Sequence, residues 1–200
     1  MYGEGRNWRF IIGFGLLAAL LIVVILLIVR SGGDSGKVPE TKRALTSYAN
    51  DPNITVSETI IGPINAPQNH NEATISVSNQ TATMQLMQGY DGNVINSHDY
   101  NMSPASFSEF LHALDKAGFT LGNNDKALKN DAGYCSEGQR YIFEVKDGSN
   151  TVQRYWTTSC KGAKTYRGSI GLTLDLFRAQ IPDYDSLTDN TTLGSNSFGI

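Results

Sequence analysis

Two histidines of this chain each stand beside a carboxylate, which is the pattern with the clearest chemical potential. His70 is followed two positions later by Glu72, and His98 is followed directly by Asp99. Imidazole and carboxylate ligands suit a divalent transition metal, and a bound metal can activate water for hydrolysis. A hydrolase that uses these four residues is therefore one hypothesis. Two solvated loop histidines are the simpler interpretation, because nothing in the sequence fixes the distance between the two pairs.

The sequence contains no recognisable catalytic or cofactor motif. We find no G-x-S-x-G, H-E-x-x-H, Walker A or G-x-G-x-x-G pattern. We therefore assign no catalytic residue, no metal ligand and no cofactor from the sequence. A domain that acts by binding is the expected class, and the membrane-tethered hydrolase is the alternative.

Cys135 and Cys160 are the two cysteines of the chain, and they flank a predicted β-hairpin. With Asp147 and Gly148 as the turn, the strand register places the two cysteines opposite each other at the open end. This arrangement permits a disulfide, which would indicate an oxidising compartment. Two free thiols in a cytosolic domain are the alternative.

The same hairpin carries aromatic side chains on both of its predicted faces. Tyr141 and Phe143 alternate along the first strand, and Tyr155 and Trp156 are neighbours on the second. An exposed aromatic face would be a binding surface for a peptide, a glycan or a partner protein. The alternative is that one helix covers each face.

Hydrophobic periodicity predicts a small α+β domain built from antiparallel hairpins and two packed helices. A helix is predicted from Pro104 to Ala117, with Ser103 as its N-cap, and a second apolar helical stripe runs from Ile170 to Ile181. The predicted strands are 54–61, 73–78, 82–88, a short one around Val94 and Ile95, 141–146 and 151–158.

An apolar segment near the N-terminus predicts a single transmembrane helix. Eighteen of the twenty residues from Phe10 to Val29 are apolar and none is charged. Twenty helical residues measure about 30 Å, which matches the hydrocarbon core of a bilayer. The lipid bilayer is therefore an expected partner, and Gly15 and Ala19 offer a small-residue pair through which two such helices could pack as a weak homodimer.

This segment divides the chain into five predicted regions. They are a tail (1–9), the membrane helix (10–29), a linker (31–52), the α+β domain (53–183) and a flexible polar tail (184–200).

Charge does not fix the orientation of the membrane helix, since arginine and lysine flank it on both sides. The large polar domain with its cysteine pair favours an extracytoplasmic placement, and a cytosol-facing domain is the alternative. The net charge of −3 argues against nucleic acid as a partner. The sequence thus predicts a single-pass membrane protein whose domain has a binding or interaction role.

Overall fold

The computed structural model describes residues 44–193 of the chain. The predicted membrane helix from Phe10 to Val29, the Gly15 and Ala19 pair, the N-terminal tail and most of the linker lie outside this range. Within the described range, no helix combines the length and the apolar character that crossing a membrane requires.

An antiparallel sheet of six strands forms the framework of the domain, in the spatial order β4-β3-β2-β1-β5-β6. The strands are β1 (Ile54–Ile61), β2 (Asn71–Val77), β3 (Thr81–Gln88), β4 (Asn93–Asn101), β5 (Arg140–Asp147) and β6 (Asn150–Thr158). The helices are α1 (Pro104–Lys116), α2 (Ile170–Arg178) and the short α3 (Tyr184–Thr188), with single helical turns at Leu45–Tyr48, Pro67–Asn69 and Lys126–Leu128. The predicted α+β class is therefore confirmed for the domain.

The core lies between one face of the sheet and the helices. Alternate residues of β1, β2 and β3 point into it, as expected for strands with one buried face. Helix α1 begins as predicted, since the backbone N–H of Ser106 donates to the Ser103 hydroxyl at 3.1 Å. Its apolar stripe then buries Phe107, Leu111 and Leu114 completely.

Strand β4 is much longer than the sequence pattern predicts. It spans nine residues, pairs with β3 at every residue except Ile95, and leaves its other edge open in the described sheet. Most of its side chains are exposed, so it lacks the apolar alternation that marks a half-buried strand. The prediction of a short strand around Val94 and Ile95 therefore identified only its beginning.

The folded domain extends beyond both of its predicted boundaries. Leu45, placed in the linker by the sequence analysis, is fully buried. At the other end, the segment predicted as a flexible tail forms α3 and then buries Leu193 completely. Isolated apolar anchors in a polar stretch explain the error, because single residues give no periodicity. Residues 194–200 lie outside the described range.

Candidate functional site

The predicted disulfide between Cys135 and Cys160 is present, with Cα atoms 5.7 Å apart. The register that suggested it is wrong, however. The turn of the hairpin is Gly148-Ser149, and a bulge at Val145/Lys146 shifts the pairing further. Extending the observed register places Gly138, not Cys135, opposite Cys160.

A tight turn brings Cys135 within bonding distance of Cys160, although the strand register does not pair these two residues. Gly138 donates its N–H to the carbonyl of Cys135 at 3.2 Å, and Cys135 takes a positive φ of 55°. A Cβ on Gly138 would lie only 2.5 Å from the Cys135 sulfur. The absence of a side chain at Gly138 therefore makes room for the disulfide.

The predicted aromatic binding surface is not exposed in the structure. Tyr141, Phe143 and Tyr155 all point into the core and are at most 4% exposed. Phe143 packs edge-on against Phe119, with ring centroids 5.9 Å apart. These rings are part of the hydrophobic core because the helices and their flanking segments cover this face of the hairpin.

Trp156 points to the opposite face and is also buried, under a loop and not under a helix. Its indole N–H donates to the carbonyl of Leu128 at 2.7 Å, and the ring of Tyr134 packs on it at 4.8 Å. Asp131 fixes the same loop to the strands through ion pairs with Arg140 at 3.2 Å and Arg154 at 2.5 Å. The interpretation that both faces are covered is thus correct, although the covering elements differ from those expected.

The two histidines are not brought together. His70 directly precedes β2. His98 on β4 pairs with Met84 on β3, which in turn pairs with Ile75 on β2. Five residues of strand and two strand spacings therefore separate them, or roughly 16 Å along the strands alone. No group of three histidine, cysteine, aspartate or glutamate residues in the described range is arranged to hold a metal ion.

A cavity of about 440 Å³ lies where the ends of β2, β3 and β4 meet the C-terminal segment. Six of its eleven lining side chains are carboxamides: Asn65, Gln68, Asn69, Asn71, Gln88 and Asn190. Leu86, Ile95, Leu187, Thr191 and Thr192 complete the lining, so none of the described residues that line the cavity is charged. We call this feature the amide cavity.

The first wall of the amide cavity is the loop between β1 and β2, held in place by Tyr90. The Tyr90 hydroxyl donates to the carbonyl of Asn65 at 2.8 Å and accepts from the backbone N–H of Asn65 at 3.1 Å. One face of the Tyr90 ring stacks on His70 at 4.1 Å, and His70 in turn contacts the carbonyl of Pro63 at 2.9 Å. His70 is therefore a buried support of this wall.

The opposite wall is the C-terminal segment, which approaches the same loop at a glycine. A Cβ on Gly62 would lie 2.9 Å from the Asn71 carbonyl oxygen and 3.0 Å from the Thr192 hydroxyl. The Gln139 side chain donates to the Thr192 carbonyl at 3.2 Å. Close contact at Gly62 and this hydrogen bond fix the segment against the sheet.

Two polar atoms of residues that line the amide cavity lack a hydrogen-bond partner among the described residues. They are the Asn65 Oδ1 and the Thr192 Oγ1, and both have almost no solvent-accessible surface. Because neither atom is open to the cavity, a ligand bound there would not contact them in this conformation.

Comparison with protein-family models, with curated proteins and with solved structures finds no match to this chain. The amide cavity therefore has to be interpreted from its own chemistry.

A second polar cluster lies inside the core, away from the amide cavity. Glu58 on β1 is fully buried, and neither carboxylate oxygen has a hydrogen-bond partner in the described part of the chain. Arg178 and Asp175 on α2 act on it electrostatically. The charge of Glu58 in turn contributes to the raised pKa of three buried tyrosines: Tyr141, Tyr166 and Tyr184. The Arg178 guanidinium also lies over the Tyr184 ring, 5.1 Å from its centroid.

Burial dominates the electrostatics of this cluster. Desolvation raises the pKa of Glu58 well above its ordinary value of 4.5, and the positive charge of Arg178 offsets that rise only in part. Desolvation likewise raises the pKa of Tyr141 to about 12. Since Glu58 does not line the amide cavity, we treat it as a core residue that affects stability.

The amide cavity has no recognisable signature in the sequence. Its carboxamides come from the β1–β2 loop, two strands and the C-terminal segment, which are far apart along the chain. Asparagine and glutamine in such positions resemble ordinary loop residues. The one available indication of a polar binding site was the high density of asparagine in residues 65–71, a segment with no predicted helix or strand.

Proposed function

We propose that this protein is a membrane-anchored binding protein whose extracytoplasmic domain holds an uncharged polar ligand in the amide cavity. The observation that carries the proposal is the lining of that cavity, in which the residues 44–193 supply six carboxamides and no charged side chain. A carboxamide both donates and accepts hydrogen bonds without a net charge. It therefore favours ligands that offer both kinds of group and carry no charge.

The size and composition of the amide cavity also suit a small ligand. Small-molecule sites typically measure about 300–1,000 Å³ and combine apolar contacts with a few polar groups. The volume of about 440 Å³ lies in this range, and Leu86, Ile95 and Leu187 supply the apolar part.

One feature supports the extracytoplasmic placement, and a second supports the membrane anchor. The disulfide between Cys135 and Cys160 is consistent with an oxidising compartment. The apolar segment from Phe10 to Val29 has the length and composition of a membrane anchor.

A ligand screen on the full-length chain in lipid nanodiscs tests the proposed function. Saturation-transfer NMR would be recorded for a panel of uncharged compounds, namely oligosaccharides, polyols and capped dipeptides, together with charged analogues. We expect at least one uncharged compound to bind and its charged analogue to bind more weakly, because the cavity offers no counter-charge.

Two matched variants locate the binding. Ile95 lines the amide cavity and is 47% exposed, whereas its neighbour Val94 lies outside the lining and is 46% exposed. Ile95→Trp should fill the cavity and abolish the signal, and Val94→Trp should retain it. Absence of binding to every uncharged compound, or equal signals from both variants, would contradict the proposal.

A further inference from the structure

The geometry of the amide cavity points to a more specific ligand. We propose that it binds a neutral saccharide containing an N-acetylhexosamine, with the acetamido group among the carboxamides and a sugar ring against Tyr90. This inference rests on the proposed function and names the ligand class of the same site.

An acetamido group matches the chemistry of the lining. It has one N–H donor, one carbonyl acceptor and a methyl group. Carboxamide side chains can pair with the donor and the acceptor at once, and the cavity contains six of them. The methyl group can pack on the apolar residues Leu86, Ile95 and Leu187, which belong to the same lining.

Tyr90 provides an aromatic surface beside the cavity. Its hydroxyl is bonded to the backbone of Asn65, so the ring stands next to a lining residue. One ring face stacks on His70, yet the residue remains 53% exposed. Tyr90 is not itself a lining residue, but the exposed part of its ring can pack on the apolar side of a sugar ring that extends beyond the lining.

An extended peptide fits this location less well. Peptides that add to a sheet need a regular strand edge on which to form main-chain hydrogen bonds. The pairing of β3 with β4 shifts between Leu86 and Met87, and Ile95 has no partner in the register at that point. The ladder is therefore irregular next to the cavity.

Calorimetry with two matched tetrasaccharides tests this inference. The full-length chain in phosphatidylcholine nanodiscs would be titrated with chitotetraose, the β-1,4-linked tetramer of N-acetylglucosamine. Cellotetraose, which has a hydroxyl in place of each acetamido group, is the control ligand. We expect chitotetraose to bind about tenfold tighter or more, since two or more additional hydrogen bonds would form in the site.

Variants of Tyr90 separate the role of the ring from that of its hydroxyl. Tyr90→Ala should weaken chitotetraose binding about tenfold, whereas Tyr90→Phe keeps the ring and should remain within about threefold of the wild type. Equal loss in both variants would assign the effect to the loop contacts of the hydroxyl and overturn the role of the ring.

The remaining outcomes distinguish this inference from the proposed function. Equal affinity for both tetrasaccharides, or binding of capped dipeptides alone, would overturn the acetamido assignment while leaving the amide cavity as a binding site. Absence of binding for every uncharged compound would remove both.

Discussion

Glu58 is a carboxylic acid inside an apolar core, and its protonation is therefore coupled to folding. The pKa of Glu58 in the folded protein lies well above its ordinary value of 4.5. A group with a raised folded-state pKa contributes stability that is complete below its unfolded pKa. That contribution is lost as the pH rises from about 4.5 through the folded-state pKa.

We predict that Glu58→Gln removes this part of the pH dependence. The unfolding free energy of the variant, relative to wild type, should increase with pH above 4.5. The slope should be at most about 1.4 kcal/mol per pH unit, the limit for one proton. Urea denaturation followed by circular dichroism at several pH values measures this difference.

An exposed glutamate provides the control for this experiment. Glu137 is exposed in the turn that precedes β5. Glu137→Gln should leave the difference from wild type nearly constant over the same range. A flat difference for Glu58→Gln as well would show that burial of Glu58 does not control the pH dependence.

The environments of single residues are the features that are hardest to predict from the sequence. Glu58 shares one face of the run 54–61 with Ile54, Val56 and Ile60, but a carboxylate is not expected among buried apolar residues. His70 was treated as a candidate ligand, but its ring supports a loop by stacking on Tyr90. In both cases the environment is created by residues distant in the chain, which local periodicity does not report.

At the scale of elements, the C-terminal segment 184–193 is part of the folded domain. It forms one wall of the amide cavity and places Leu193 in the core at 0% exposure. Sequence analysis assigned the same residues to a flexible tail, because the segment is polar and short of apolar anchors.

We predict that Leu193→Ala lowers the unfolding free energy by about 2–4 kcal/mol, since it leaves a cavity in the core. Leu172→Ala, at a leucine of α2 that is 47% exposed, should change it by at most about 0.5 kcal/mol. Thermal and urea denaturation of the two variants give the comparison. A change for Leu193→Ala as small as that for Leu172→Ala would mean that the segment does not contribute to the folded core.

Elements with strong local signals were predicted well. Helix α1 has an N-cap, a proline in its first turn and a clear apolar stripe, and its predicted and observed bounds differ by one residue. Elements that depend on their neighbours were predicted poorly. The hairpin register was wrong because Asp147-Gly148 was chosen as the turn, whereas the bulge at Val145/Lys146 was not visible in the sequence.

At the scale of the whole molecule, the proposed extracytoplasmic placement of the domain can be tested at the disulfide. Cys160 is exposed and Cys135 is partly so, which makes the disulfide a useful reporter. We predict that a membrane-impermeant maleimide labels both residues on intact cells only after reduction. Labelling that requires permeabilisation but no reductant would place free thiols in the cytosol and contradict the extracytoplasmic proposal.

The fold class could be predicted at this scale, but the amide cavity could not. Hairpins and two helices sufficed to indicate an α+β domain. The cavity depends on the sheet order, which places the end of β2 beside β3 and β4 and leaves room for the C-terminal segment. That order follows from long-range pairing, about which a single sequence gives little information.

The position of β1 in the sheet has a consequence for the order of synthesis. β1 pairs with β2 on one side and with β5 on the other. Since β5 follows β4 and α1 in the chain, the ribosome completes four strands before the second neighbour of β1 exists. Throughout that interval the most buried strand of the final sheet is an edge strand with unpaired N–H and C=O groups. Until β5 is synthesised, β1 can therefore pair with strands of other chains, although it lies inside the finished sheet.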